Sequence, residues 1–342
     1  MNIPAADVNS ANTSVTVLAG GVGAARFLRG LVGDSDGLSN IDLTVVVNTG
    51  DDTVMHGLSI SPDLDTVTYT TAGAIDTERG WGLADETWRA MENLGRYGAV
   101  RPAESGAAAN WFNLGDRDLA THFYRTHRLD EGATLTEVTG EIARAWGLDF
   151  TMLPMSDDRV STMVDIVDDG GVALTVPFQE YFVKRRHSVP VTGVAFVGAD
   201  TARPTFLHSI DTADVVVIAP SNPLVSIAPI RALPGVDAAL SACRERVVGI
   251  SPIVAGGALK GPADRMMTEL GHEASVVGVA RLYAPVCSTL VIDQQDEHLA
   301  TAVEREGLRC IVTDTIMKSP EVTRALARTV LSAILDRGDR SR

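Results

Sequence analysis

The sequence predicts an α/β protein built on a Rossmann-like, largely parallel sheet with helices on both faces and a mainly helical insertion. Two observations carry that reading. Short apolar runs rich in Val and Ile recur along the chain with helical patterns between them, as strands buried on both faces require. Several of these runs give way to polar or Gly- and Pro-rich loops, around Gly20, Asn48, Ser221 and Gly256, and open α/β sheets place their ligands at such strand ends.

Taken in order, residues 15–19 form the first strand, and the glycine-rich turn after them opens a helix at 24–31. A second strand at 43–47 runs into Asn48-Thr49-Gly50-Asp51-Asp52, a cluster through which neither strand nor helix continues. From about 80 to 186 the texture is helical, with patterns at 85–97, 119–128 and 135–146 and two short strands at 163–167 and 172–176. From 191 the α/β rhythm returns, with strands at 193–197, 215–219, 247–251, 275–279, 289–292 and 310–312 and a last helix at 320–335. The chain thus divides into an N-terminal extension at 1–14, a Rossmann-like core at 15–79 and 190–335, and an insertion at 80–189.

With 342 residues, 45% hydrophobic and 21% charged, the chain can bury a large core without disulfide or metal staples. The net charge of −15 disfavours nucleic acid as a partner. A small phosphate ligand is still allowed, because backbone N–H groups, a few basic side chains and a metal ion suffice to hold one. Cys243, Cys287 and Cys310 are widely spaced, with no CxxC or Cys/His cluster, and read as reduced thiols of a cytoplasmic protein. No apolar run approaches the roughly 18 residues of a membrane span, and residues 1–14 lack a signal-peptide pattern.

Five constellations carry candidate chemistry. Gly20-Gly21-Val22-Gly23 lets a ligand approach the backbone and leaves helix-start N–H groups for an anion, although a tight turn alone also explains it. Asn48-Thr49-Gly50-Asp51-Asp52 and Ser61-Pro62-Asp63-Leu64-Asp65-Thr66 bring four carboxylates into fifteen positions. Asp51 and Asp63 are the candidate pair, since two converging carboxylates completed by waters and phosphates suit Mg²⁺ in phosphoryl transfer. Asp52 and Asp65 support them, and Asp65-Thr66 also fits an Asx turn or helix cap. In the run from Trp111 to His122, either Asp116 or Asp118 caps the helix beginning near Leu119. Trp111 and Phe112 beside Asn113 and Arg117 suit a flat heteroaromatic ligand or, for the two rings, the core. Pro220-Ser221-Asn222-Pro223 offers a hydroxyl and an amide fixed by two prolines, and Lys260, one of three lysines, sits in the glycine-rich loop after Ser251. The seven histidines show no ligand spacing apart from His122 and His127, and no acyl-transfer nucleophile motif is present.

Taken together, the runs from Ala19 to Leu28, Asn48 to Asp52, Pro62 to Thr66, Leu114 to His122, Phe178-Gln179-Glu180-Tyr181 and Pro220 to Pro223 resemble the CofD/FbiA family. These are the 2-phospho-L-lactate transferases of coenzyme F420 biosynthesis. The resemblance runs in order from about residue 15 to beyond 262. It implies a Mg²⁺-dependent, generally dimeric enzyme with a Rossmann-like core and a helical subdomain. The reaction it implies is transfer to the deazaflavin Fo from lactyl-2-diphospho-guanosine or enolpyruvyl-diphospho-guanosine, releasing GMP and giving F420-0 or its dehydro form. On that basis Asp51 and Asp63 are expected to hold Mg²⁺ and orient the attacking hydroxyl, with Asp63 also touching Fo. Asn113, Asp116 and Arg117 are expected to hold Fo, and Gly20, Gly21, Gly23 and Lys260 to face the diphosphate. Ser221, Asn222 and Pro223 are expected at the guanosine, with Thr49 and Asp52 lining the substrate site.

Two rivals stand beside this reading. YvcK-type nucleotide-sugar sensors share the GGxG start, but they follow the second strand with a DDGGSSG-like stretch where this chain has Asp51-Asp52-Thr53-Val54-Met55-His56-Gly57. A nicotinamide oxidoreductase calls for a ribose-binding acid at the end of the second strand, and the run at 43–47 ends without one.

Overall fold

The computed structural model describes residues 12–32, 40–109 and 111–339, so most of the expected N-terminal extension lies outside the described residues. Seven strands form the main sheet: β1 (Thr13–Ala19), β2 (Ile41–Val47), β3 (Thr151–Pro154), β4 (Val215–Ile218), β5 (Val247–Ile250), β6 (Thr289–Asp293) and β7 (Arg309–Thr313). All neighbours pair in parallel, in the order β3-β2-β1-β4-β5-β6-β7. Every residue of β4, β5 and β6 is buried, which is why these strands read as unbroken apolar runs. Side chains of β4 alternate between two buried clusters. Val215 and Val217 join the cluster containing helix Gly21–Leu31 and the C-terminal helix Pro320–Asp339, while Val216 and Ile218 join the cluster on the opposite face.

The chain winds from β1 through β2 to β3 in one direction and from β4 to β7 in the other. The order therefore reverses between β1 and β4, and a crevice opens outside the carboxyl ends of these two strands. The loops after β1, β2, β4 and β5 all leave the sheet at that edge, because all four strands run in parallel.

Several local expectations need correction. The first strand begins at Thr13, inside the expected extension, where Ser14 Oγ donates to Asp214 Oδ2 at 2.9 Å. Residues 275–279 are not a strand: Ser275 caps helix Val276–Tyr283 by accepting from Val277 N–H and Gly278 N–H. The strand expected at 193–197 exists as Val191–Val197, but it belongs to a separate antiparallel sheet with Ser161–Val167 and Ala173–Pro177. The segment 80–189 is also less helical than its pattern suggests. It holds helices Arg89–Gly95, Asp118–Asp130 and Leu135–Ala145, yet it also supplies β3 and two strands of the antiparallel sheet. Cys243 and Cys287 are buried, Cys310 is half-buried, and all three are free. Among the described residues no single helix is long and apolar enough to cross a membrane.

Candidate active site

At the point where the strand order reverses, the loops after β1 and β4 cross in close contact. Gly20 N–H donates to Ser221 Oγ at 3.2 Å. A Cβ on Gly23 would lie 2.1 Å from the Pro220 carbonyl oxygen, and one on Gly20 would lie 2.6 Å from Ser226 Cβ. Packing thus demands both glycines before any ligand is considered. Gly21 has a φ of +70° and its N–H hydrogen-bonds the Asp63 carboxylate. Asn222 has a local role as well, its Oδ1 accepting from Leu224 N–H at 2.9 Å to cap the turn that begins at the buried Pro223.

β2 ends at Val47, and the residue after it organises the acids. Asn48, 1% exposed, donates through Nδ2 to Asp51 Oδ1 at 3.2 Å and to Asp63 Oδ2 at 3.0 Å, while its Oδ1 accepts from Gly50 N–H at 2.9 Å. Gln179 Nε2 donates to Asp51 Oδ2 at 2.8 Å. Asp63 stands in the first turn of helix Pro62–Thr71, so residues twelve positions apart in sequence converge on one amide. Burial pushes the Asp51 carboxyl well above its ordinary range, and the charges of Asp63 and Asp52 push it the same way. Burial also lifts Asp63 to about 6, against the lowering effect of hydrogen bonds from Asn48 and Gly21. Among the described residues, no basic side chain makes an ion pair with either acid. A divalent cation would supply the missing positive charge.

The supporting acids behave differently from each other. Asp52 accepts from Ser61 Oγ at 2.6 Å through Oδ2, its Oδ1 is buried without a partner, and burial raises its pKa. Thr49 is buried and its carbonyl accepts from Asp52 N–H at 3.2 Å. Asp65 is neither an Asx turn nor a cap; it pairs with Arg125, 60 residues away. Asp65, Asp118 and His122 each present an atom within 4.8 Å of the others, but the Arg125 guanidinium already lies against Asp65.

Asn113, Asp116 and Arg117 are exposed at the start of helix Asp118–Asp130, and no side chain caps that helix. Asp116 instead accepts from Thr87 N–H at 2.5 Å, and Arg117 Nη1 donates to the Ala84 carbonyl at 2.6 Å. Glu86 is wedged over Gly115, where a Cβ would lie 1.8 Å from Glu86 Oε2. Glu86 also pairs with Arg79 at 3.0 Å, and the Arg79 guanidinium lies over the rings of Trp81 and Trp88 at 5.5 and 5.0 Å. Trp111 and Phe112 pack against Met55, Ile60, Met91 and Leu114, so the core reading of those two rings holds. Trp81, 44% exposed, is more open than either of these two rings. Lys260 is exposed and reaches back over the segment after helix Pro62–Thr71: a Cβ on the buried Gly80 would lie 2.4 Å from its Nζ. Burial and the charge of Arg26 lower the Lys260 pKa.

The structure therefore brings Asp51 and Asp63 together, with Gly20, Gly21 and Ser221 lining the same crossing. Asn113, Asp116 and Arg117 form a second group, and Lys260 reaches from the loop after β5 to Gly80. Sequence reasoning left Asn48 and Gln179 without roles, although Gln179 lies in the Phe178-Gln179-Glu180-Tyr181 run.

A doubly wound sheet with two buried carboxylates at its switch point defines an α/β protein suited to a cation and a phosphorylated ligand. Over residues 15–332 the sequence matches the family described as 2-phospho-L-lactate transferase CofD, and the chain belongs to that family of transferases. It is 43% identical over 324 residues to a phosphoenolpyruvate transferase of Kitasatospora aureofaciens, covering 93% of this chain and 97% of the relative. It is also 43% identical over 326 residues to a phosphoenolpyruvate transferase of Mycolicibacterium smegmatis, with the same coverage. A crystal structure of a UPF0052 family protein from Bacillus halodurans shares the fold, with a TM-score of 0.57 at 15% identity, covering 94% of this chain and 99% of that one.

Proposed function

We propose that this protein transfers a phosphoenolpyruvyl group from enolpyruvyl-diphospho-guanosine to the deazaflavin Fo, giving dehydro-F420-0 and GMP. In a chain of this family, the observation that carries the reading is the Asp51–Asp63 pair, held on one side by Asn48 and on the other by Gln179. The names of the relatives favour the enolpyruvyl donor over the lactyl one.

In the proposed reaction the terminal ribitol hydroxyl of Fo attacks the phosphorus that bears the three-carbon acid. The new O–P bond forms as the bond to the GMP oxygen breaks, and GMP leaves with that electron pair while the hydroxyl loses its proton. Asp51 and Asp63 would hold Mg²⁺, which when bound supplies charge neutralisation at the diphosphate. Asn48 and Gln179 hold the two carboxylates in register, and Asp63 orients the attacking hydroxyl. Gly20 N–H and Gly21 N–H already have partners in the protein, so the diphosphate meets the N–H groups of Val22 and Gly23 at the helix start, with Lys260 reaching in from the loop after β5. Arg117 and Asp116 hold the deazaflavin, with Trp81 offering a flat apolar surface, and Ser221, Asn222 and Pro223 face the guanosine. We assign the enzyme to the cytoplasm as a homodimer.

Incubating the protein with Fo, Mg²⁺ and each guanylylated donor in turn tests this reading by mass. A deazaflavin product heavier by a phosphoenolpyruvyl group, lost on chelation, is the expected result. No product with either donor, despite nucleotide binding, would point to a sensor of the YvcK type.

A further inference from the structure

The second aspartate of Pro62-Asp63-Leu64-Asp65 and three residues of the helix Asp118–Asp130 meet in one buried network. Arg125 lies end-on to Asp65, with Nη1 donating to Oδ2 at 3.2 Å and Nη2 in closer contact with Oδ1. His122 Nδ1 is 3.3 Å from Arg125 Nη1 and 3.7 Å from Asp65 Oδ2. The other ring nitrogen, Nε2, is 3.3 Å from Asp118 Oδ2, close enough for an ion pair but without hydrogen-bond alignment, and Asp118 Oδ1 accepts from Tyr69 Oη at 2.6 Å. Tyr69 and His122 are each 1% exposed and Arg125 is 2% exposed. The network starts on the helix that carries Asp63 and ends at Asp118, the residue directly after Asp116 and Arg117. It therefore joins the two groups of candidate residues that the crevice presents separately.

Buried ionic groups are a poor source of stability, since well-packed apolar residues of similar volume often do as well or better. What a directional network supplies is fixed geometry between the elements it joins. We infer that His122 is a positioning residue, its ring wedged between Asp65 and Asp118 so as to set the acidic helix against the loop 113–117. The inference rests on the transferase reading for its kinetic consequence, but the geometric part does not depend on it.

The test compares His122→Phe, which keeps ring volume and removes both nitrogens, with His122→Gln, which restores a donor and an acceptor. In His122→Phe, amide exchange at 113–118 should quicken by about tenfold while β1 and β2 are unaffected. The KM for the deazaflavin should rise about tenfold with the donor KM within about twofold, and His122→Gln should recover most of both effects. A folded His122→Phe with wild-type exchange and wild-type KM values overturns the inference, as does exchange that quickens evenly across the sheet. If the loop responds as expected but the wild type makes no product, the transferase reading falls and the positioning stands. Should His122→Phe fail to fold, Tyr69→Phe makes the same comparison by removing the hydroxyl that holds Asp118, with about threefold faster exchange at 113–118 expected and no change overturning the inference.

Discussion

Replacing Asp63 by asparagine should give a protein that is more stable and nearly inactive. Asp63 is 7% exposed, and burial lifts its carboxyl from 3.8 to about 6. A carboxyl with a higher pKa folded than unfolded binds more protons in the native state between those two values. The native state is therefore favoured at low pH, and stability falls as pH rises through that window and stays lower above it. The gap corresponds to at most about 3 kcal/mol at neutral pH. Asparagine keeps the shape and one oxygen to accept from Asn48 Nδ2, so the variant sheds the charge while keeping that bond. Urea unfolding with EDTA at pH 4 and pH 7.5 checks this: Asp63→Asn should gain about 1 to 3 kcal/mol over wild type at pH 7.5 and about a fifth of that at pH 4. Turnover with Mg²⁺ should drop at least about a hundredfold. A variant no more stable than wild type at pH 7.5, or one whose pH dependence parallels wild type, would refute the electrostatic reasoning. Near-normal turnover would refute the role of Asp63.

Three further substitutions probe other parts of the account. Gly23→Ala sets a Cβ against the Pro220 carbonyl, forcing the β1 and β4 loops apart, and should lower stability by about 2 to 4 kcal/mol in a denaturant titration. Arg125→Met strands the buried Asp65 charge and should cost about 3 to 5 kcal/mol, with much of the loss recovered in Arg125→Met/Asp65→Asn. Lys260→Gln should raise the KM for the guanylylated donor about tenfold while the deazaflavin KM holds, as loss of a charge-assisted phosphate contact would.

The parallel strands were legible because burial on both faces leaves an unbroken Val- and Ile-rich signature, as in Val215–Ile218 and Val247–Ile250. The same signature misled at 275–279, where a helix start is apolar on every side and a short run has no period to distinguish it from a strand. β3 went unread inside the insertion because Thr151–Pro154 is a four-residue edge strand with one exposed and one half-buried residue. Convergence of Asp51 and Asp63 followed from the strand ending at Val47 and the Pro at the first position of the next helix. The partners of the acids did not follow, because Gln179 lies 128 positions from Asp51 and Arg125 lies 60 from Asp65. Local rules offered Asp65, and either Asp116 or Asp118, as caps, and longer-range contacts took all three instead: Arg125 for Asp65, Thr87 for Asp116 and Tyr69 for Asp118.

Titration with Mn²⁺ in place of Mg²⁺, followed by electron paramagnetic resonance, tests the central claim most directly. The account predicts a bound ion whose affinity falls at least about tenfold in Asp51→Asn and in Asp63→Asn, and which broadens the phosphorus resonances of added donor. Wild-type affinity in Asp51→Asn/Asp63→Asn would contradict it.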